Sequence, residues 1–243
     1  MSNAFYTSGE QRAAKVNNLF AAIARRYDLL NDLQSFGLHR RWKSRVVELA
    51  AVQSGDHALD LCCGTGDIAF ALGRRGAEVT GLDFNSQMLE VAESRNKIPD
   101  PKSGTRNPIF IQGDAQQIPF PDASFDIVTV GYGLRNLADW EKGLEEMRRV
   151  ARPGGRLVVL DFGKPANALW RGIYFAHLKC TVPLLGWIFC GNADAYAYIL
   201  ESLKHYPAQP AVAAKMRELK LVNVRVINLL GGAMAINYGE KPK

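Results

Sequence analysis

The feature that most constrains the fold is a regular alternation of short apolar runs with helical patterns through the middle of the chain. Five runs are apolar and short enough to be buried strands: residues 58–62, 78–82, 109–111, 124–130 and 156–160. Strands separated by helices form a mostly parallel sheet with right-handed crossovers. Two further strand patterns, 224–228 and 233–238, follow. The sequence therefore predicts an α/β fold with a doubly wound, mostly parallel sheet of seven strands.

Helical patterns flank this strand-rich region on both sides. In the first segment, apolar residues recur at helical spacing: Val16, Leu19, Phe20, Ile23, Tyr27 and Leu30. A second helix is expected from Arg40 to Ala51, so that residues 1–52 form an N-terminal helical cap. Residues 163–206 follow the fifth strand and are mostly helical in pattern and rich in aromatic residues, which indicates a helical insertion or lid. We predict a single domain, residues 1–243.

Composition excludes several classes of protein. With 47% hydrophobic and 22% charged residues, the chain is typical of a globular protein and not of a disordered or coiled-coil one. The net charge is +6, but no run of like charges indicates a nucleic-acid-binding arm. The four cysteines include no C-x-x-C pair, so no metal site is predicted. We find no secretory signal, and the uncharged residues 180–193 are too few to span a bilayer, so a cytoplasmic protein is expected.

The turn after the first strand combines glycines with acidic residues. Gly64 and Gly66 let the backbone turn sharply and let a ligand approach the main chain. Asp60, Asp83 and Asp114 lie at the carboxyl ends of the first three strands, which is the edge at which such sheets bind ligands. The glycines alone also fit a dinucleotide fingerprint. Carboxylates repel a pyrophosphate but attract the cationic S-adenosylmethionine, so this methyl donor is the predicted cofactor.

Several longer motifs give the chain a family resemblance. They are Tyr27 to Asp32, Ser35 to Arg40, Asp60 to Asp67, Gly113 to Ala115, Pro119 to Asp122, Gly133 to Leu137, Arg152 to Arg156 and Asp194 to Ser202. Over nearly the full length, the chain resembles the ubiquinone/menaquinone biosynthesis C-methyltransferases, a branch of the class I S-adenosylmethionine-dependent methyltransferases. The resemblance implies the Rossmann-like sheet of that class and C-methylation of a polyprenylated quinol. Demethylmenaquinol is the expected acceptor, and 2-methoxy-6-polyprenyl-1,4-benzoquinol is the alternative.

The resemblance also assigns residues to the donor. The predicted donor-binding residues, from the turn and the family together, are Asp60, Gly64, Thr65, Gly66, Asp83, Asp114 and Ala115. The positions that match the family's own donor contacts are Thr65, Asp83, Asp114 and Ala115. The chain departs from the family at Gly131, where a serine often lies two residues before the Gly-Leu-Arg-Asn motif. One hydroxyl contact to the donor is therefore not expected here.

The residues that follow the fourth strand are candidates for activating the acceptor. A quinone ring is an electrophile, so the acceptor must be the reduced quinol, and its phenolate is the better nucleophile. Arg135 and Asn136 follow the fourth strand at the ligand-binding edge, and an arginine there can stabilise a phenolate. The alternative for Arg135 is a surface ion pair with an acid such as Asp139. Arg135 and Asn136 are predicted catalytic residues.

Three further side chains are candidates for contact with the acceptor. Tyr27 can donate a hydrogen bond to a quinol oxygen, although it also lies on the apolar stripe of its helix, and it is included among the predicted catalytic residues. His39 and His205 are candidate bases, but a lone histidine in a helix or loop is more often structural.

The helical insertion also bears on partners. Aromatic residues such as Trp170 and Trp187 alternate with basic ones such as Lys179, which is compatible with a helix pair packed on the core or with a lid that receives a lipid tail. We favour transient peripheral contact at the inner face of the membrane, where the lipid-tailed quinol resides. A homodimer and a complex of quinone-biosynthesis enzymes both stay open.

Other functions are weighed against this one. A non-catalytic scaffold that binds the cofactor or lipid, and a methyltransferase for a sterol or small phenol, are the competing interpretations. A nucleic-acid methyltransferase fits the basic charge, but no base-flipping motif follows the fourth strand, so nucleic acid is not an expected partner.

Overall fold

A seven-stranded sheet organises the protein, whose computed structural model describes residues 10–97, 107–190, 200–203 and 205–243. The strands are β1 His57–Leu61, β2 Glu78–Asp83, β3 Ile109–Gln112, β4 Phe125–Gly131, β5 Ala151–Phe162, β6 Val222–Leu229 and β7 Met234–Glu240. Their order across the sheet is β3-β2-β1-β4-β5-β7-β6. Strands β1 to β5 are parallel, and β7 is antiparallel to both of its neighbours. The predicted doubly wound, mostly parallel sheet is confirmed.

The helices cover both faces of this sheet and its carboxyl edge. They are α1 Glu10–Ile23, α2 Tyr27–Ser35, α3 Leu38–Ala50, α4 Asp67–Gly73, α5 Ser86–Asn96, α6 Trp140–Val150, α7 Ala168–Cys190 and α8 Ala208–Glu218. The single N-terminal helix expected from the apolar spacing is interrupted, because a 3₁₀ turn at Ala24–Arg26 separates α1 from α2. The apolar period continues across the turn, so the spacing could not reveal the break.

The connection between α2 and α3 is a tight reversal. Phe36 and Gly37 both have left-handed backbone conformations, with φ of 51° and 75°. The Gly37 N–H donates to the Asp32 carbonyl oxygen at 2.9 Å, which closes the end of α2. The reversal places α3 against α2 and presents residues of both helices to the carboxyl edge of the sheet.

The fifth strand differs from its expected start. The Pro153-Gly154-Gly155 segment was expected to precede the strand, but β5 begins at Ala151 and contains it. Ala151 pairs with Phe125 and Arg156 pairs with Ile127, so this segment forms an irregularity within the ladder. The expectation was wrong because a bulge with Gly154 at φ 78° lets the strand resume pairing.

Two apolar layers hold the helices to the sheet. On one face, Leu144 of α6 and Met216 of α8 pack with β-strand residues such as Leu59. On the other, Val46 of α3 and Leu72 of α4 pack with residues that include Ala58 and Ile127. Residues 58 and 59 are neighbours in β1 but belong to the apolar layers on opposite faces of the sheet, because successive side chains on a strand point to opposite faces.

The helical insertion is described in part. Helix α7 covers its first half, while Asp194 to Ile199 of the last family motif and the side chain of Trp187 lie outside the described residues. Across the segments that the structure describes, no helix combines the length and the apolar character that crossing a bilayer requires.

Candidate active site

Two neighbouring cavities lie at the carboxyl ends of the parallel strands. The smaller, which we call the acidic cavity, has a volume of about 120 Å³, and its lining includes Gly64, Asp83, Asn85, Asp114, Ala115 and Asn136. The larger, which we call the apolar cavity, has a volume of about 340 Å³, and its lining includes Leu19, His39, Trp42, Arg135, Ile173 and Met234. Phe20, Tyr27 and Tyr132 line both, so the two cavities share a wall.

Asp83 is fixed at the end of β2 by backbone donors. The Gly64 N–H donates to its Oδ2 and the Asn85 N–H donates to its Oδ1, each at 2.8 Å. Burial raises the pKa of the Asp83 carboxyl, and these N–H donors oppose the rise. Each carboxylate oxygen can accept a second hydrogen bond, so Asp83 retains acceptor capacity toward the acidic cavity.

The remaining walls of the acidic cavity combine a second acid with apolar surface. Asp114 follows β3, and its Oδ1 accepts a hydrogen bond from the Gln116 N–H at 2.8 Å. Ala115 also lines the cavity, and its predicted contact with the donor stays a prediction. Apolar side chains form much of the rest of the lining, namely Val16, Leu82, Phe84, Met88 and Leu137, and the polar Asn17 and Gln116 also contribute. The cavity can therefore hold a flat apolar group next to hydroxyl or cationic groups.

The glycine turn contributes unequally to this cavity. Gly64 lines it, whereas Thr65 and Gly66 do not. The Thr65 hydroxyl donates to Asp28 Oδ1 at 2.9 Å, which joins the turn to α2. A Cβ on Gly66 would lie 2.8 Å from the ring of Phe110, and φ is 87°, so packing already demands glycine there. The predicted contacts of Thr65 and Gly66 with the donor remain predictions.

Asp60 lies beneath the turn and does not line the acidic cavity. It is almost fully buried, and Thr129 Oγ1 donates to its Oδ1 at 2.7 Å. Burial raises the pKa of Asp60 to about 7, against the opposing effect of the hydrogen bond from Thr129. The direct contact of Asp60 with the donor stays a prediction.

Asp67, at the start of α4, is paired with two cations. Lys43 Nζ and Arg95 Nη2 each lie 2.7 Å from one of its carboxylate oxygens. Burial by itself would raise the pKa of Asp67, but the two cations outweigh burial and lower it to about 2. The network joins α3, α4 and α5, and it neutralises the acid that ends the Asp60 to Asp67 motif. No motif indicated the role of Lys43.

Arg135 lies in a 3₁₀ turn after β4 and is buried in the wall of the apolar cavity. Its Nη1 donates to Asp161 Oδ1 at 2.9 Å and to the Tyr132 carbonyl oxygen, and its guanidinium lies 4.6 Å from the ring centre of Phe162. The surface pair with Asp139 considered above does not form, because Asp139 instead caps α6 through the N–H groups of residues 141 and 142. Arg135 is thus a rigidly held cation.

Tyr27 lies at the boundary between the cavities, and Asn136 lies on its acidic side. Tyr27 lines both, and burial raises the pKa of its hydroxyl against the opposing effect of Lys43, so the hydroxyl stays protonated and can donate. Asn136 lines the acidic cavity, and its side-chain amide donates to the Tyr132 carbonyl oxygen at 3.2 Å. The structure therefore brings the predicted catalytic residues to one junction.

Sequence reasoning missed Tyr132, which lies between Gly131 and Gly133. Its φ of 64° is unusual for a non-glycine residue, and it contributes to the wall that both cavities share. Its buried hydroxyl makes no hydrogen bond within the part of the chain that the structure describes. Two features of Tyr132 indicate a functional position, its unpaired buried hydroxyl and its unusual φ. Both are properties of the folded chain, so the sequence alone could not show them.

Comparison with known proteins decides the family. A family model described as the ubiE/COQ5 methyltransferase family matches residues 7–241. The chain belongs to this family. The matched range includes both cavities and every predicted site residue, so the geometry above is that of a ubiE/COQ5 family member.

Curated relatives span almost the whole chain. The demethylmenaquinone methyltransferase of Desulfitobacterium hafniense is 42% identical over 241 residues, which cover 97% of this chain and 93% of that one. The ubiquinone/menaquinone biosynthesis C-methyltransferase UbiE of Pseudomonas paraeruginosa is 40% identical over 235 residues, covering 96% and 91%. The chain is therefore a member of a family of quinone-biosynthesis C-methyltransferases, as the resemblance implied.

Solved structures agree on the fold. An S-adenosylmethionine-dependent methyltransferase from Thermotoga maritima, titled a possible histamine N-methyltransferase, aligns with a TM-score of 0.64 at 18% identity, covering 92% of this chain and 99% of that one. A second, from Aquifex aeolicus, aligns with a TM-score of 0.56 at 18% identity, covering 82% and 88%. These structures show that the chain has their Rossmann-like architecture. Its membership of the ubiE/COQ5 methyltransferase family makes it an S-adenosylmethionine-dependent methyltransferase.

The residues of the acidic cavity fit this cofactor. Asp83 and Asp114 retain acceptor capacity for hydroxyl and cationic groups, and Leu82, Phe84 and Met88 offer apolar surface to a base. A pyrophosphate would instead meet two carboxylates. The residues that line the acidic cavity therefore favour S-adenosylmethionine over a dinucleotide.

Proposed function

We propose that the protein transfers a methyl group from S-adenosylmethionine to a ring carbon of a polyprenylated quinol, with demethylmenaquinol as the preferred acceptor. The methoxy-polyprenyl-benzoquinol of ubiquinone biosynthesis is the second candidate. The observation that supports the proposal most is the wall shared by an acidic and an apolar cavity, in which Phe20, Tyr27 and Tyr132 contribute to both. Two reactants held on either side of that junction gain the rate that proximity and orientation provide.

The charges of the lining residues indicate which reactant each cavity binds. Bound S-adenosylmethionine supplies an electrophilic methyl group on a cationic sulfur. Asp83 and Asp114 bind and orient this donor in the acidic cavity, with Gly64 and Ala115 as backbone neighbours. Asp60 supports the turn from beneath, and Thr65 and Gly66 fix it from within through Asp28 and Phe110. These are the donor-binding roles that we assign.

On the acceptor side, the reaction needs a cation and a hydrogen-bond donor near the ring oxygen of the quinol. Arg135 is buried and held by Asp161, so its charge is pre-positioned to stabilise a phenolate as it forms. The Tyr27 hydroxyl remains protonated and donates to a ring oxygen, and Asn136 fixes the loop between the cavities through the Tyr132 carbonyl. The oxidised quinone offers no nucleophilic carbon and is not a substrate.

An acceptor-exchange assay tests the proposed function. The protein is incubated with labelled S-adenosylmethionine and short-tailed naphthoquinols or methoxy-benzoquinols, each kept reduced or supplied oxidised. We expect ring methylation of the reduced naphthoquinol, slower methylation of the benzoquinol, and none of either quinone. Equal methylation of oxidised and reduced acceptors contradicts the mechanism, and methylation of neither quinol contradicts the assignment.

The mouth of the apolar cavity supports contact with a membrane surface. Phe36, Ile173 and Leu230 line this cavity yet are at least half exposed, and such clustered apolar exposure is typical of interaction sites. Exposed Arg40 and Lys179 lie nearby in the chain on α3 and α7. The proposed occupant is the lipid surface at the inner face of the membrane, with the tail entering between the cap (residues 1–52) and the insertion (163–206) of one domain.

Vesicle sedimentation tests this docking. Phe36→Ser combined with Ile173→Ser should lower binding to anionic vesicles several-fold, since each removes exposed apolar surface at the mouth. Ile109→Ser, which removes an apolar side chain on β3 whose exposure lies between those of Phe36 and Ile173, is the control and should bind as the unaltered protein does. Equal binding by all three proteins rules out the proposed surface.

A further inference from the structure

His39 is one of the residues that line the apolar cavity. It is the second residue of α3, its side chain is almost fully buried, and it lines the cavity together with Tyr27 and Arg135. No carboxylate belongs to the described lining of this cavity, while Tyr27 stays protonated and arginine does not lose its proton. A histidine is therefore the type of group that can accept a proton here near neutral pH.

The hydrogen bonds around His39 determine which ring nitrogen carries the proton. The Ser35 hydroxyl donates to the Asn31 carbonyl oxygen at 2.5 Å, which uses its single hydrogen. Ser35 Oγ must then act as the acceptor for His39 Nδ1, at 3.0 Å, and for the His39 N–H, at 3.3 Å. The neutral ring thus holds its proton on Nδ1. Its lone pair is on Nε2, the nitrogen that these contacts leave available to a ligand.

The surroundings of His39 keep its ring neutral, which is the state that a base needs before it accepts a proton. Burial lowers the pKa of His39, Lys43 and Arg40 lower it further, and Asp32 and Asp67 raise it, so the ring is neutral at pH 7. Asp32 Oδ1 lies 3.7 Å from Nδ1 and is itself held by Arg40 Nε at 2.9 Å. A carboxylate on the Nδ1 side orients the ring and stabilises the imidazolium that forms when Nε2 is protonated.

We propose that His39 Nε2 is the general base that removes the hydroxyl proton of the acceptor ring, with Ser35 and Asp32 as its positioning residues. This inference rests on the proposed function and assigns the base for it. The O–H bond of the quinol breaks and an N–H bond forms on Nε2, and the freed electron pair makes the ring carbon nucleophilic. Arg135 stabilises the resulting phenolate, so base and cation act on the same cavity.

The kinetic test compares pH profiles. His39→Gln keeps a polar group of similar size but cannot take the proton, so its turnover number at pH 7 should fall about 100-fold or more. The deficit should shrink as pH rises toward the pKa of the quinol, because the phenolate then forms without a base. His57→Gln, which replaces an exposed histidine at the amino end of β1, is the control and should keep the original profile.

Other results of this comparison overturn the inference. If His39→Gln retains the profile, or loses the same activity at every pH, His39 is not the base. If His177→Gln, which changes the other histidine of the cavity lining, removes the pH dependence instead, the base is His177. Affinity for S-adenosylmethionine, measured by calorimetry, should be unchanged in His39→Gln, which shows that the variant is folded.

A second measurement is independent of turnover. In ¹⁵N-histidine-labelled protein without substrate, NMR should find His39 neutral at pH 7 and protonated on Nδ1. Protonation on Nε2, or a positively charged ring, contradicts the inference directly. If NMR finds this protonation state but the enzyme methylates no quinol, the proposed function is wrong, whereas the predicted protonation state of His39 is correct.

Discussion

Replacing Arg135 with methionine is expected to lower the turnover number by about 100-fold or more, because it removes the fixed charge that stabilises the phenolate. Affinity for S-adenosylmethionine should stay within about twofold, since Arg135 lines the apolar cavity and not the acidic one. The substitution also strands the buried carboxylate of Asp161, so the free energy of unfolding should fall by about 3 kcal/mol. Steady-state kinetics, calorimetry and urea unfolding measure the three quantities.

A double variant separates the loss of catalysis from the loss of stability. Arg135→Met with Asp161→Asn no longer contains a stranded charge, and the new amide oxygen can still accept from the backbone N–H of residue 135 or of Phe162. It should recover most of the lost stability but none of the lost turnover. If turnover returns with stability, Arg135 has only a structural role, and its assignment to catalysis is wrong.

Removing the carboxylate of Asp83 should weaken donor binding by about 3 kcal/mol, or on the order of 100-fold, because hydrogen bonds to charged groups are the strong ones. Asp83→Ala removes the acceptor that faces the acidic cavity, and calorimetric titration with S-adenosylmethionine measures the change. The variant also leaves the N–H groups of Gly64 and Asn85 without their partner, so the more conservative Asp83→Asn is measured in parallel.

The chain offers a matched control for Asp83. Asp126 lies at the opposite end of the sheet, near the start of β4, and likewise accepts a backbone N–H, that of His57, at 2.9 Å. Asp126→Asn should leave donor affinity unchanged. Unchanged affinity in both Asp83 variants excludes this carboxylate from donor binding, and an equal loss in the Asp126 variant traces the effect to general destabilisation.

Much of the architecture was predictable because it depends on local patterns. The alternation of apolar runs with helices predicted the parallel sheet, and the acids after β2 and β3 predicted two walls of the acidic cavity. The sequence offers Ser86 or Asn85 as the cap of α5, and the structure has Asn85, whose side chain accepts from the Met88 N–H at 2.9 Å. The family motifs added the polar residues at the junction, among them Arg135.

The rest depends on contacts between residues distant in sequence. Asp161 is 26 positions from Arg135, and Lys43 is 24 positions from Asp67, so no spacing rule pairs them. The proton position on His39 follows from a hydrogen bond that Ser35 makes elsewhere, which only the folded backbone of α2 defines. The break between α1 and α2 was hidden because the apolar period runs through it.

The most direct test of the central claim is a crystal structure of the protein with S-adenosylhomocysteine, the spent form of the donor. We expect this molecule to lie in the acidic cavity, in contact with Asp83 and Asp114, and the adjoining apolar cavity to stay open to a short-tailed quinol across Tyr27 and Tyr132. Density for the ligand anywhere else, or a dinucleotide seated against those carboxylates, would contradict it.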